Sequence, residues 1–378
     1  SCTTTTDRTA LLEILARIER REVADGFLQQ ALEQGDEPTR AWAARGLGAS
    51  RAPAALDPLI QSLTDESTWV RSAGLFALPM LEGLELEQRT TRERILLEQL
   101  ESTEPVLRFL AAQAMGRVRC PLAADPLVEA LVDPAPTVRA ASAFSLLQLI
   151  GDRTREQAGI TLDAARRSQI VAALQRALAV ERDQAARWHL VYALAHSVDP
   201  LAAATLRTVA KSKSTGRWER LFALRGLGRL PPDLANLATL RSSLQDDDPI
   251  LVYEVLAAFE RLAPQWQAWP AGLIDAVCAH ATGHTSVHVR SQAVSVLGAA
   301  PPDDLADSTI EAAQNDSSMT VRATAIEAHA RVGKTTALTK ALQTDAGQRA
   351  LGDVVRVALA QQAQTHDLDH RERKGQRR

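Results

Sequence analysis

The chain has 378 residues, 46% of them hydrophobic and 24% charged, with a formal net charge of −3. That balance gives no general attraction to polyphosphate and argues against nucleic acid as a partner. No run of about 18 apolar residues is present to cross a bilayer as a helix, and Cys2, Cys120 and Cys278 lie too far apart for a disulfide framework.

From the amino terminus, residues 1–6 read as a polar tether: Cys2 is followed by Thr3, Thr4, Thr5 and Thr6, which have no reason to fold. A first helix is expected over Thr9 to Arg21, as a cap on the folded body. A cysteine ahead of a short polar tract and a folded body resembles the start of a mature bacterial lipoprotein. That resemblance implies a lipidated Cys2 and a place in the bacterial cell envelope, facing the periplasm or the outer surface. The alternative is an ordinary thiol on a cytoplasmic protein.

From residue 24 onward a phrase recurs: an arginine, a small or aliphatic residue three positions on, and a leucine or its equivalent seven positions on. It reads Arg71-Ser-Ala-Gly74-Leu-Phe-Ala-Leu78, then Arg139-Ala-Ala-Ser142-Ala-Phe-Ser-Leu146, and later Arg290-Ser-Gln-Ala293-Val-Ser-Val-Leu297. The arginines stand at 40, 71, 108, 139, 187, 220, 290, 322 and 356, and Val252 replaces the missing one. Ahead of each lies another apolar stretch at helical spacing, such as Leu56, Leu59, Ile60 and Leu63, closed by a turn at Thr64 and Asp65. Each repeat is therefore a helix A, a tight turn and a helix B. Such pairs bury their apolar faces only by stacking, which predicts an all-α solenoid of about ten helix pairs over residues 7–363, counted as one domain, with a polar tail over 364–378.

The wording of Glu37-Pro-Thr-Arg40-Ala-Trp-Ala43-Ala-Arg-Gly-Leu47-Gly48 and of Asp133-Pro-Ala-Pro-Thr-Val138-Arg139 resembles the short HEAT-like repeats of bacteria. The resemblance implies a right-handed superhelix whose B helices line the concave side. It is specific for architecture and weak for function, because such arrays serve many partners.

The steps from Arg71 to Arg108, Arg139 to Arg187 and Val252 to Arg290 are longer than the others, placing insertions at Glu82 to Thr91, Gly151 to Arg167 and Pro264 to Pro270. Trp266 and Trp269 in the third either fold back over a repeat junction or offer apolar surface. Counted from the arginine, positions +1 and +5 are one helical turn apart and lie off the core face. Read down the repeats, this column holds Phe76, Phe109, Phe144, Trp188, Tyr192 and Tyr253. It is the candidate partner-binding stripe, and its competing reading is space-filling between adjacent B helices.

Glycines at +8, Gly48, Gly116, Gly228 and Gly298, are expected to relieve crowding where helix B ends. Asp65, Asp133, Asp246 and Asp316, six residues before the arginine position, are expected to cap helix B and to pair with the arginine of an adjacent repeat. Cys278, His280, His284 and His288 crowd one repeat, and His366 and His370 stand four apart, but neither set has the spacing of a known zinc site. No phosphate loop, nucleophile elbow or zinc-protease motif occurs, so no catalytic residue, metal or cofactor is assigned.

These observations predict a monomeric, non-catalytic scaffold that holds a protein or peptide on the concave B-helix face. The alternative comes from resemblance: a HEAT-like array after an opening such as Leu12 to Arg21 is similar to bacterial envelope proteins in which the array precedes a cyclophilin-type prolyl isomerase. No residue here supplies that catalytic domain. A HEAT-like DNA glycosylase or phycobilin lyase would call for a basic groove or a ligand pocket that the sequence does not announce.

Overall fold

The computed structural model describes residues 13, 14, 16, 26–151, 162–266 and 268–331. Among these, every regular element is helical, and the helices alternate between the two expected types. By internal contacts the chain divides into two compact segments, Ser1–Ala202 and Ala203–Arg378.

In the N-terminal segment the pairs are α1 (Phe27–Gln34) with α2 (Glu37–Ala49), α3 (Leu56–Ser62) with α4 (Thr68–Ala77), α5 (Leu86–Gln99) with α6 (Pro105–Val118), α7 (Ala124–Glu129) with α8 (Pro136–Ile150), and α9 (Ala164–Val180) with α10 (Gln184–His196). The C-terminal segment adds α11 (Ala203–Lys211) with α12 (Arg217–Leu227), α13 (Leu234–Ser243) with α14 (Pro249–Leu262), α15 (Leu273–Gly283) with α16 (Val287–Leu297), and α17 (Asp304–Ala313) with α18 (Met319–Arg331). The tether at 1–6, most of the first expected helix, the tenth repeat and the tail lie outside the described residues.

The helices start where local chemistry favours a start. Asp36, Asp183 and Asp248 accept backbone N–H groups in the first turns of α2, α10 and α14, and Pro105, Pro136 and Pro249 open B helices where a missing N–H costs nothing. Position +7 is buried in every described repeat: Leu47, Leu78, Met115, Leu146, Leu194, Leu227, Phe259, Leu297 and His329. Successive B helices touch through the +8 glycines. A Cβ on Gly48 would stand 2.5 Å from the Ala77 Cβ, and one on Gly228 would stand 2.4 Å from the Ala258 Cβ. The glycine of one B helix therefore sits against the small +6 residue of the next, a crossing that admits no side chain.

The expected arginine–aspartate ladder is present and is more elaborate than its sequence signature. Arg40 Nε and Nη2 donate to both oxygens of Asp65 at 2.8 and 3.0 Å, Arg108 to Asp133 at 2.7 and 2.9 Å, and Arg290 to Asp316 at 2.8 and 2.9 Å. Arg220 pairs with Asp246, Arg139 uses Glu181 at 2.6 and 2.8 Å, and Arg71 uses Glu104. Each aspartate also accepts the N–H two residues on, as Asp65 does from Ser67 at 2.8 Å. The remaining guanidinium nitrogen turns back on its own repeat: Arg108 Nη1 donates to the carbonyls of Ser102 and Thr103, and Arg290 Nη1 to those of His284 and Thr285. One side chain thus ties its own A–B turn to that of the following repeat.

Two of the expected insertions resolve differently. Residues 82–91 do not form a loop throughout: a capping box between Glu85 and Gln88 starts α5 at Leu86, so the extra length goes into a longer helix A. Of the second insertion, residues 152–161 lie outside the described ones. In the third, Trp266 packs 6.1 Å from Phe259 and 5.2 Å from Trp269, so this pair does fold back on α14.

Candidate functional site: the outer face of the B helices

Within each segment a B helix has three occupied sides. Positions +3 and +7 meet helix A, while +8 and +6 meet the neighbouring B helices. At roughly 100° per residue, −2, +5 and +9 cluster on the one remaining side, with +1 and +2 on its flanks. No residue at −2, +5 or +9 is buried in any described repeat of the N-terminal segment.

The six aromatic residues of the sequence-predicted stripe are all exposed or half-buried; Phe144 keeps 40% of its surface and Tyr253 39%. They are therefore not core residues. They do not form one strip, however. Phe144 stacks on Tyr192 at 6.3 Å, and Tyr192 on Trp188 at 5.6 Å and 9° between planes, joining α8 to α10. Phe76 stands apart from them and carries two guanidiniums, with Arg45 4.6 Å and Arg117 5.1 Å from its ring centre. Phe109 makes no ring contact among the described residues, and Tyr253 belongs to the C-terminal segment.

The face is centred about half its width away from the +1/+5 column. Position +1 lies on the flank, against a neighbouring B helix, which is why Ala41, Ala140 and Leu221 there are buried. The centre of the face also holds residues outside the sequence-predicted stripe: Trp69 at −2, 45% exposed, Trp218 at −2, 56% exposed, Val106 and Ile250 at the same position, and Arg117 at +9. Their signal lies in the three- and four-residue steps from −2 through +1 and +5 to +9.

The two segments treat this face differently. In the C-terminal segment it is crossed by ion pairs: Glu254, buried, accepts from Arg225 at 2.7 Å and from Arg261 at 2.9 Å, and Glu260 accepts from Gln292, Ser295 and Arg331. In the N-terminal segment positions −2, +1, +2, +5 and +9 contain no aspartate or glutamate. Among the described residues, Arg45 and Arg117 form no salt bridge.

The cysteine–histidine cluster does not assemble. His280 and His284 have ring centres 5.7 Å apart, burial followed by the nearby His284 lowers the His280 pKa, and Cys278 is buried with its thiol pKa raised by burial. His284 Nδ1 accepts the Ser286 N–H at 3.0 Å, doing locally what an aspartate does in other repeats. Cys120 is buried too, its thiol pushed up to about 11. Two clefts at the repeat edges are crossed by their own polar groups, Arg51 with Glu82 at 2.5 Å in one and Ser168 with Asp199 at 3.2 Å in the other.

The family of HEAT repeats matches residues 4–79 and 93–156. Those two stretches of the chain are similar to HEAT repeats. The protein's fold is similar to a chain of the full-length AP-3 complex in an intermediate open conformation, at 13% identity over 93% of this chain and 72% of that one, with a TM-score of 0.61. It is equally similar to a chain of the structure in which Kap95p binding induces the switch loops of RanGDP to adopt the GTP-bound conformation, at 13% identity over 94% of this chain and 52% of that one, TM-score 0.61. At such identities the likeness shows the HEAT solenoid and nothing finer. Human deoxyhypusine hydroxylase in complex with glycerol aligns over 86% of this chain and 98% of its own at 17% identity, but a TM-score of 0.30 gives that likeness no weight. No curated protein sequence matches the chain.

Proposed function

We propose that this protein is a non-catalytic scaffold that holds a protein or peptide partner against the outer face of its B helices. The observation that carries the reading is the row of incompletely buried aromatic side chains on that face, above all Trp69, Phe76 and Phe144. An aromatic exposed beside others on a rigid helical layer is the composition of an interface centre rather than of ordinary surface. Within each segment the B helices approach one another through glycine and alanine, as the inner layer of a curved stack must, which supports a concave setting for the face. Solenoids of this fold appear in the AP-3 complex and in the assembly of Kap95p with RanGDP, in keeping with a protein partner.

A photo-crosslinking residue placed at Phe144 in the cells that make the protein is expected to trap a discrete partner. The same residue at Leu122, which is 72% exposed in the short turn between α6 and α7, should trap none. Equal yields from the two positions would remove the reading. The envelope setting rests on Cys2 and the threonine run. Its test is fractionation: the full gene product should sediment with membranes and Cys2→Ser should free it.

A further inference from the structure

On the docking reading just proposed, we infer that the N-terminal segment's face takes an acidic peptide. Most arginines of the described B helices end on a carboxylate: Arg40, Arg71, Arg108, Arg139, Arg220 and Arg290 pair with Asp65, Glu104, Asp133, Glu181, Asp246 and Asp316, and on the corresponding face of the C-terminal segment Arg225 and Arg261 share Glu254. Arg45 and Arg117 are exceptions. They come from successive odd repeats, both are exposed, and both are held by the ring of Phe76 at 4.6 and 5.1 Å rather than by an anion.

Their charges therefore lie within about 10 Å of each other, close to the screening length of physiological salt, and each raises the cost of the other. Phe76 orients the two guanidiniums without neutralising them, leaving their N–H donors available for bidentate bonds to a carboxylate. Around them the exposed positions are apolar or neutral, with Trp69, Val106 and Phe144 offering surface for hydrophobic side chains, and no aspartate or glutamate of the N-terminal segment stands at −2, +1, +2, +5 or +9 to repel an acidic ligand. A partner segment with carboxylates flanked by apolar residues completes both halves of this surface. A lysine-rich segment would meet two unpaired cations. Single-stranded nucleic acid would find only two guanidiniums to track its phosphates on a chain of net charge −3.

The test is selection of a displayed library of random peptides on the full chain, with three proteins run in parallel: the unaltered chain, the charge-reversed Arg45→Glu, Arg117→Glu variant, and Trp69→Ser, Phe144→Ser. All altered positions have substantial surface, and Arg45→Gln, Arg117→Gln replaces the reversed variant should that one not fold. The unaltered chain should enrich peptides rich in aspartate and glutamate. Reversal should cut recovery of that pool at least about tenfold and turn enrichment toward lysine and arginine, while neutralisation cuts recovery without the turn. A pool that depends on Trp69 and Phe144 but shows no acidic excess, or keeps its charge on reversal, overturns the acidic assignment and leaves the docking face standing. Absence of any pool that depends on Trp69 and Phe144 overturns both, as does displacement of the peptides by a labelled single-stranded oligonucleotide.

Discussion

Ser142 occupies position +3 of α8, which the other described repeats fill with Ala43, Gly74, Ala111, Leu190, Ala223, Val255, Ala293 and Ala325. It is fully buried and its hydroxyl has no hydrogen-bond partner, so it is desolvated without compensation. Ser142→Ala should raise stability by about 1 kcal/mol, read as a higher midpoint in urea with an unchanged slope, since alanine removes the orphan donor and is the better helix former. The ladder arginines give the opposite expectation. Arg108→Ala strips both charged bonds from Asp133 and releases the Ser102 and Thr103 carbonyls, for a loss of about 1.5–3 kcal/mol by the same measurement.

Between elements, one rung of the ladder lacks both of its ends together. Val252 stands where the arginine belongs, and His284 stands in the following repeat where the aspartate belongs. Val252 is fully buried, so Val252→Arg alone places an unpaired guanidinium in the packing and should destabilise the chain. Adding His284→Asp should recover part of that loss, with a favourable coupling of about 1–3 kcal/mol in a double-mutant cycle; additive effects would show that the ladder geometry does not extend through α14 and α15. The crossing of B helices is tested by glycine. Gly228→Ala drives a Cβ to 2.4 Å from the Ala258 Cβ and should cost about 1–3 kcal/mol despite the better helix propensity. Gly283→Ala, with no atom within 4 Å of the new Cβ, should be neutral or gain about 0.5 kcal/mol.

Across the whole molecule, the ladder carboxylates set the response to acid. Bonding to Arg40 lowers the pKa of Asp65, bonding to Arg139 lowers that of Glu181, and bonding to Arg290 lowers that of Asp316; at Asp133 and Asp246 burial works against the arginine, and the arginine's bonds together with a backbone N–H prevail. All five have folded-state values below their unfolded ones, so their stabilising contribution is complete above the usual carboxylate range and is lost as pH falls through the folded values. The urea midpoint should therefore stay level from about pH 7 to about pH 5 and fall steeply below about pH 4. Asp65→Asn should lower the plateau and flatten that fall. In both segments the same helices that carry the ladder on one side present the B face on another, so scaffold and candidate site share one periodicity.

That periodicity is what the amino-acid sequence by itself determined. Arginine at the start of the phrase and leucine or its equivalent at +7 recur in nearly every repeat, and glycine at +8 and aspartate at −6 return in several, because each makes a contact between or within neighbouring helix pairs. The helices, the all-α stack and the ladder could be read from them. Only tertiary packing decided which angular sector of helix B remains uncovered, because that depends on how closely the neighbouring B helices approach at Gly48 and Gly228. It moved the centre of the face from +1 and +5 to −2, +5 and +9, brought in Trp69 and Arg117, and parted Phe76 from the Phe144–Tyr192–Trp188 stack. It also separated arginines with a carboxylate, such as Arg225 and Arg261, from Arg45 and Arg117. Charge pairing between repeats depends on which side chains meet across a helix crossing, and no spacing within one repeat encodes it.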